Sequence, residues 1–154
     1  MLSQTAEYAL RAVLHIAEHG TDRPVSVVEI ADALDVPRNY LSKTLHQLAR
    51  AGIVSSTFGP GGGFQLGVRP ERLTLDAIVS PFDTAGERHC LLGRSRCSDR
   101  DACLVHAHWK SIAEQIHQFF ATTTVAALLA GETAVPDHVS LPARAARRQP
   151  ARGR

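Results

Sequence analysis

The sequence predicts a mainly α-helical chain: a winged helix-turn-helix followed by a cysteine-bearing loop and a long C-terminal dimerisation helix. Three observations carry that prediction. Two short helical patterns meet across Asp35-Val36-Pro37, a glycine-rich hairpin follows at once, and a helical apolar stripe begins after a tight group of cysteines. A length of 154 residues suits one domain-sized core, or a small domain with an appendage. With 44% hydrophobic and 21% charged residues, the chain has enough apolar material to fold alone.

The first element spans residues 5 to 19. Ala6, Ala9, Leu10, Val13, Leu14 and Ala17 recur at the three-and-four spacing of a helix with one buried face. Gly20 to Pro24 reads as a loop. Ser26 followed by Glu29 then has the spacing of a capping box, opening a short helix through Ile30, Ala31 and Leu34. After the tight turn, Pro37 suits the first position of the next helix. That helix carries Tyr40, Leu41, Leu45 and Leu48 on one side and stops at Ala51-Gly52, a glycine end signal. Two short helices joined by so brief a turn match a helix-turn-helix.

Ile53 to Ser56 reads as a strand, Gly59-Pro60-Gly61-Gly62-Gly63 as a tip, and Phe64-Gln65-Leu66 as the returning strand. A hairpin in that place is a wing, and it turns a generic helical pair into a reader of double-stranded DNA. The glycines do not cradle a nucleotide, because no Lys-Ser/Thr pair and helix follow them. On the second helix the exposed positions are Arg38, Asn39, Ser42, Lys43 and His46, with Tyr40 beside them. Recognition helices present their early residues to the major groove, where Arg and Asn make paired hydrogen bonds to guanine and adenine. Lys43 equally suits a phosphate. Ser56, Gly61 and Gly62 are the candidate contacts on the wing. Residues 1 to 80 hold seven Lys/Arg against eight Asp/Glu, so affinity depends on local placement and on pairing of subunits rather than on a general positive field.

Cys90, Cys97 and Cys103 are the three cysteines of the chain, within fourteen residues. An odd count argues against a closed disulfide framework and for a shared inorganic centre or a reactive thiol. Soft thiolates select iron–sulfur clusters, zinc or copper(I). Six residues separate the first two cysteines and five the second two, whereas structural zinc uses at least one tighter pair. The looser spacing fits a loop around a larger core, so an iron–sulfur cluster leads over zinc and over a metal-free thiol. His106, three residues past Cys103 at the start of a helix, would share a face with it.

Beyond lie Trp109, Ile112, Ile116, Phe119, Phe120 and Thr123, an apolar stripe at helical spacing that suits a dimer interface. A two-fold dimer would read a pseudo-palindromic operator. From residue 131, Pro136, Pro142, Pro150 and five arginines, with no acidic residue after Asp137, read as a disordered basic tail. The organisation expected is a DNA-binding domain over 1–80, cluster loop and dimerisation helix over 81–130, and a tail over 131–154. No apolar run nears the roughly 20 residues of a membrane span. The N-terminus is interrupted by Glu7, Arg11 and Glu18 and lacks a cleavage site, so a cytoplasmic location is expected. No constellation of an activated nucleophile is evident, so the chain is not expected to be an enzyme.

The segment from Ile30-Ala31 to Tyr40-Leu41, the wing from Val54-Ser55-Ser56 to Gly63-Phe64 and the cysteine group together resemble the IscR/NsrR family of bacterial transcription regulators. The resemblance covers about residues 1 to 130. It implies a homodimer, a cluster on Cys90, Cys97 and Cys103, and regulation by redox state, nitric oxide or iron–sulfur supply. For the fourth ligand it offers two positions: His106, as in relatives with a 2Fe–2S cluster, and Glu7, where nitric-oxide-sensing relatives ligate from the partner subunit. It does not decide between 2Fe–2S and 4Fe–4S. Two departures stand out: the family wing carries arginine before its first glycine, where this chain has Phe58, and one more residue separates the first two cysteines. The alternative is a cluster-free regulator of the same fold that responds to thiol oxidation or a small ligand.

Overall fold

The computed structural model describes residues 2–83, 92 and 99–131, so Cys90, Cys97 and the expected basic tail beyond Gly131 lie outside the described residues. The first helix, α1 (Gln4–His19), starts where the Ser3 hydroxyl accepts from the Ala6 N–H. Its sealed face is Ala6, Ala9, Ala12, Val13 and Ile16. That face is rotated from the expected stripe, since Leu10, Leu14 and Ala17 are only half-buried. The three alanines keep the helix thin, so α3 and α4 pack closely on it.

The capping box forms as expected at the head of α2 (Val27–Leu34). The Ser26 hydroxyl accepts from the Glu29 N–H at 3.2 Å, and a Glu29 oxygen accepts from the Ser26 N–H at 2.9 Å. Arg23 donates to the same carboxylate at 2.7 Å. That hydrogen bond, then those from Ser26, hold the Glu29 carboxyl down to about 2. The helix closes with Asp35 in the left-handed region at φ 54°, and Arg11 of α1 donates to the half-buried Leu34 carbonyl at 2.6 Å. The next helix, α3 (Arg38–Arg50), begins one residue later than expected, because Pro37 sits at the N-cap with φ −57°. It buries Leu41, Thr44, Leu45 and Leu48, and the chain leaves it through Gly52 at φ 74°.

The hairpin follows directly. Strands β1 (Val54–Thr57) and β2 (Gly63–Leu66) pair antiparallel, with Val54 opposite Leu66 and Thr57 opposite Gly63. Val25 adds a bridge to Phe64 through bonds of 2.9 and 2.8 Å, which fastens the hairpin to the entrance of α2. Gly63 is obligatory there: a Cβ would stand 2.4 Å from the Val25 carbonyl oxygen.

Two short helices were not anticipated. The first, α4 (Leu75–Val79), starts at a Thr74 cap; α6 (Val125–Leu129) starts at a Thr124 cap. They flank the long helix α5 (His106–Thr122), which a 3-10 turn at Asp99–Asp101 precedes. Thr74 and Thr124 form an antiparallel bridge, with Leu75 N–H donating to Thr123 and Val125 N–H to Leu73. Val125 is thereby sealed in the same core as Val13, Ile30 and Leu41. Residues 73–75 and 123–125 are thus joined at one edge of the core. No helix among the described residues is long and apolar enough to cross a membrane.

Candidate functional site

The candidate DNA-facing residues divide by what holds them. Arg38, Asn39, Lys43 and His46 are exposed on α3, and Ser42 is half-buried. Arg38 leans back on Asp32 of α2 at 3.3 Å, so it must exchange that partner before it reaches a base. Lys43 makes no ion pair among the described residues. The His46 ring meets Phe64 edge-on at 6.2 Å, which places it between recognition helix and wing rather than in front of the helix.

Tyr40 has a structural task. Its ring packs edge-on against Tyr8 at 5.6 Å, and its hydroxyl shares a 2.5 Å hydrogen bond with that of Thr5. Both partners belong to α1, so Tyr40 sets how α3 is presented. On the wing, Ser56 and Gly61 are exposed. The Gly62 N–H is spent within the tip, donating to Gly59 at 2.9 Å.

Of the expected cluster ligands, Cys103, His106 and Glu7 lie among the described residues. Cys103 is a half-buried free thiol in the turn before α5, and its carbonyl accepts from the His106 N–H at 3.0 Å. It therefore stands ahead of the helix that His106 begins, linked by one turn. His106 is the one buried residue of α5. Its Nε2 lies 2.8 Å from an oxygen of Asp99, and the Lys110 ammonium donates to both Asp99 oxygens at 2.9 Å. Lys110 first and His106 second hold the Asp99 carboxyl down to about 2. An ionised carboxylate only accepts, so Nε2 carries the proton and a neutral His106 has its lone pair on Nδ1. A carboxylate behind one imidazole nitrogen is the usual support for a histidine that ligates through the other.

The chemistry of this donor set suits an iron–sulfur centre: a soft sulfur and a braced imidazole on adjacent turns. Among the described residues no three of His, Cys, Asp and Glu converge on one point. Glu7 lies apart on the exposed face of α1, 3.8 Å from Arg11 one turn on. Asp99 and Lys110 escaped the sequence reading. Only the one-turn spacing from His106 to Lys110 hinted at them.

The segment leading to the cysteines is tied to the DNA-facing half. Gln47 of α3 donates from Nε2 to the Pro81 carbonyl at 2.7 Å, and the Ser3 N–H donates to Asp83 at 2.6 Å. One end of the cysteine segment therefore leaves from α3 and the cap of α1. The other end arrives at the foot of α5.

Comparison with known proteins places these features. The profile of the Rrf2 family, described as iron-dependent transcriptional regulators, matches residues 2–131. A putative HTH-type transcriptional regulator of Aquifex aeolicus is 38% identical over 132 residues, 84% of this chain and 91% of that one. The HTH-type transcriptional regulator IscR of Yersinia enterocolitica is 30% identical, covering 83% of this chain and 78% of the relative. Among solved structures, the global cysteine regulator CymR of B. subtilis superposes with TM-score 0.73 at 21% identity, over 85% of this chain and 97% of its own. IscR of T. potens does so with TM-score 0.68 at 22% identity, over 86% and 88%. At those identities the structural likeness speaks for the fold.

Proposed function

The chain belongs to the Rrf2 family of transcriptional regulators, and on that premise we propose that it is a homodimeric, cluster-controlled promoter switch. The family's regulators bind DNA and are not enzymes. In our reading, residues 1–80 engage a pseudo-palindromic operator. Residues 81–130 carry the cluster and the dimer helix, and 131–154 add a basic tail. Arg38, Asn39 and Lys43 face the major groove from the first turns of α3, with Ser42 beside them. Ser56, Gly61 and Gly62 lie along the wing, while Tyr40 and His46 hold the helix in place.

Cys90, Cys97 and Cys103 supply three thiolates for a 2Fe–2S or 4Fe–4S cluster. His106, braced by Asp99, is preferred to Glu7 as the fourth ligand, through Nδ1. When bound, the cluster supplies a centre that redox change, nitric oxide or iron–sulfur shortage alters. The single observation that carries the switch is the double anchorage of the cysteine segment, to Gln47 of the recognition helix at one end and to α5 at the other. A loop drawn in by four ligands pulls on both anchors, and release relaxes them. The spacing of two recognition helices across a dimer would change accordingly, and a few kcal/mol of coupling suffices. The regulated gene would be read in the cytoplasm.

Anaerobic purification tests this reading. It predicts a coloured protein with about two or four irons and matching sulfide per subunit, and loss of both in Cys103→Ser. A colourless, metal-free protein whose DNA binding follows thiol oxidation would instead establish the cluster-free reading. Anaerobic Mössbauer spectra of His106→Ala beside Glu7→Ala then identify the fourth ligand.

A further inference from the structure

The wing differs from the recognition helix in a way its sequence makes plain. From Ala51 to Val68 it contains no charged residue, so the hairpin has no cation to set against a phosphate. At its tip stands Phe58, 87% exposed. A single exposed apolar side chain is ordinary on a protein surface. The setting of this one is not.

The turn that follows Phe58 is almost bare backbone. Gly59 and Gly61 adopt φ 95° and 77°, and a Cβ on Gly62 would stand 2.3 Å from the Thr57 carbonyl oxygen. The tip is therefore narrow and uncharged, with Pro60 in the turn and Phe58 as its one aromatic ring. Its root is fixed. The His46–Phe64 ring contact and the Val25–Phe64 bridge hold the hairpin against α3 and the start of α2. Two residues at about 3.3 Å each carry Phe58 roughly 7 Å beyond that fixed point, out to the free end of a braced hairpin.

We infer that Phe58 is an apolar wedge, inserted from the wing tip into the minor groove against a base step, where it unstacks the step and bends the operator. The chemistry favours this over a contact with the sugar–phosphate wall, because a hydrocarbon ring gains nothing from phosphates and a base face stacks on it. Apolar wedges of this kind kink duplexes at easily unstacked pyrimidine–purine steps. The inference rests on the DNA reading above and adds to it a specificity determinant that makes no base hydrogen bond. Selection of flexible steps would occur at positions outside the recognition-helix contacts.

The test uses the anaerobically purified full chain and a duplex that the wild type enriches from a random pool. Affinity is measured across a salt series, and bending by energy transfer between end labels. The expected result is a bent duplex whose enriched sequences place a pyrimidine–purine step under each wing. Phe58→Ala should bind roughly tenfold more weakly, lose most of the bend, and keep the same salt slope. Phe58→Leu should retain the bend. Because Phe58 is exposed, both variants should unfold at the wild-type temperature. Lys43→Ala, by contrast, should lower the salt slope by about one and leave the bend.

Wild-type affinity and bending in Phe58→Ala would overturn the wedge while leaving the DNA reading intact. So would a loss of affinity with the bend unchanged, which marks a contact without insertion. If the wild type enriches no sequence at all, the DNA reading falls and the wedge with it.

Discussion

Helices α1 and α5 are nearly the same length, 16 and 17 residues, yet they relate to the core in opposite ways. The first seals five side chains against its own chain. The second buries only His106, and leaves Ile112, Ile116 and Phe119 close to half exposed along one stripe. Both sequences show a helical apolar pattern, so periodicity alone does not distinguish them. What differs is the residue size on the buried face. Alanines on α1 admit close neighbours from within the fold, whereas the bulky stripe of α5 stands out as a surface that another chain can cover. Helix α1 thus serves the monomer's stability, and in the dimer proposed above α5 serves its assembly.

The largest expected effect breaks the first half of that contrast. Leu45→Ala, in the core that α1 and α3 share, should cost about 2–5 kcal/mol by removing sealed side-chain volume, seen as a lower denaturant midpoint. Ile116→Asp breaks the other half. It should weaken self-association about a hundredfold in sedimentation, while the concentration dependence of Tm disappears. A variant that instead unfolds like Leu45→Ala would place Ile116 in the monomer's core.

Gln47→Ala is expected to act on neither. It removes the bond to Pro81 and should cut the difference in DNA affinity between cluster-loaded and stripped protein by about fivefold, with dimerisation unchanged. A smaller effect follows acid. Glu29 and Asp99 both have folded values of about 2, below their ordinary 4.5 and 3.8. A depressed carboxylate stabilises the fold above its unfolded value and loses that contribution as pH falls toward the folded one. Stability should therefore decline between about pH 4.5 and 2, first through Glu29 at the α2 cap and then through Asp99 at the foot of α5. Glu29→Gln and Asp99→Asn should each flatten part of that decline in an acid titration.

Much of the reading half was legible in the sequence because its signals are local. The Ser26–Glu29 box, the glycine after α3 and the glycine tip each state a backbone geometry within a few residues. The misplacements were small: Pro37 caps rather than begins α3, and the α1 face is turned. What escaped were features that depend on distant chain. Helices α4 and α6 have five residues each, too short for periodicity, and are stabilised by bonds between residues 73–75 and 123–125. Asp99 became informative only once folding set it against His106 and Lys110. Arg38 and Tyr40 were both candidates for DNA contact, and only tertiary contacts showed one held by Asp32 and the other braced on α1.

In the switch proposed above, the cysteine segment between α3 and α5 controls how the chain reads DNA. Its most direct test is the affinity of one anaerobic preparation for its enriched duplex, measured before and after the metal is stripped, in wild type and Cys103→Ser. The account predicts a difference of about tenfold or more between loaded and stripped wild type, and none in the variant. Equal affinities for loaded and stripped wild type would contradict it.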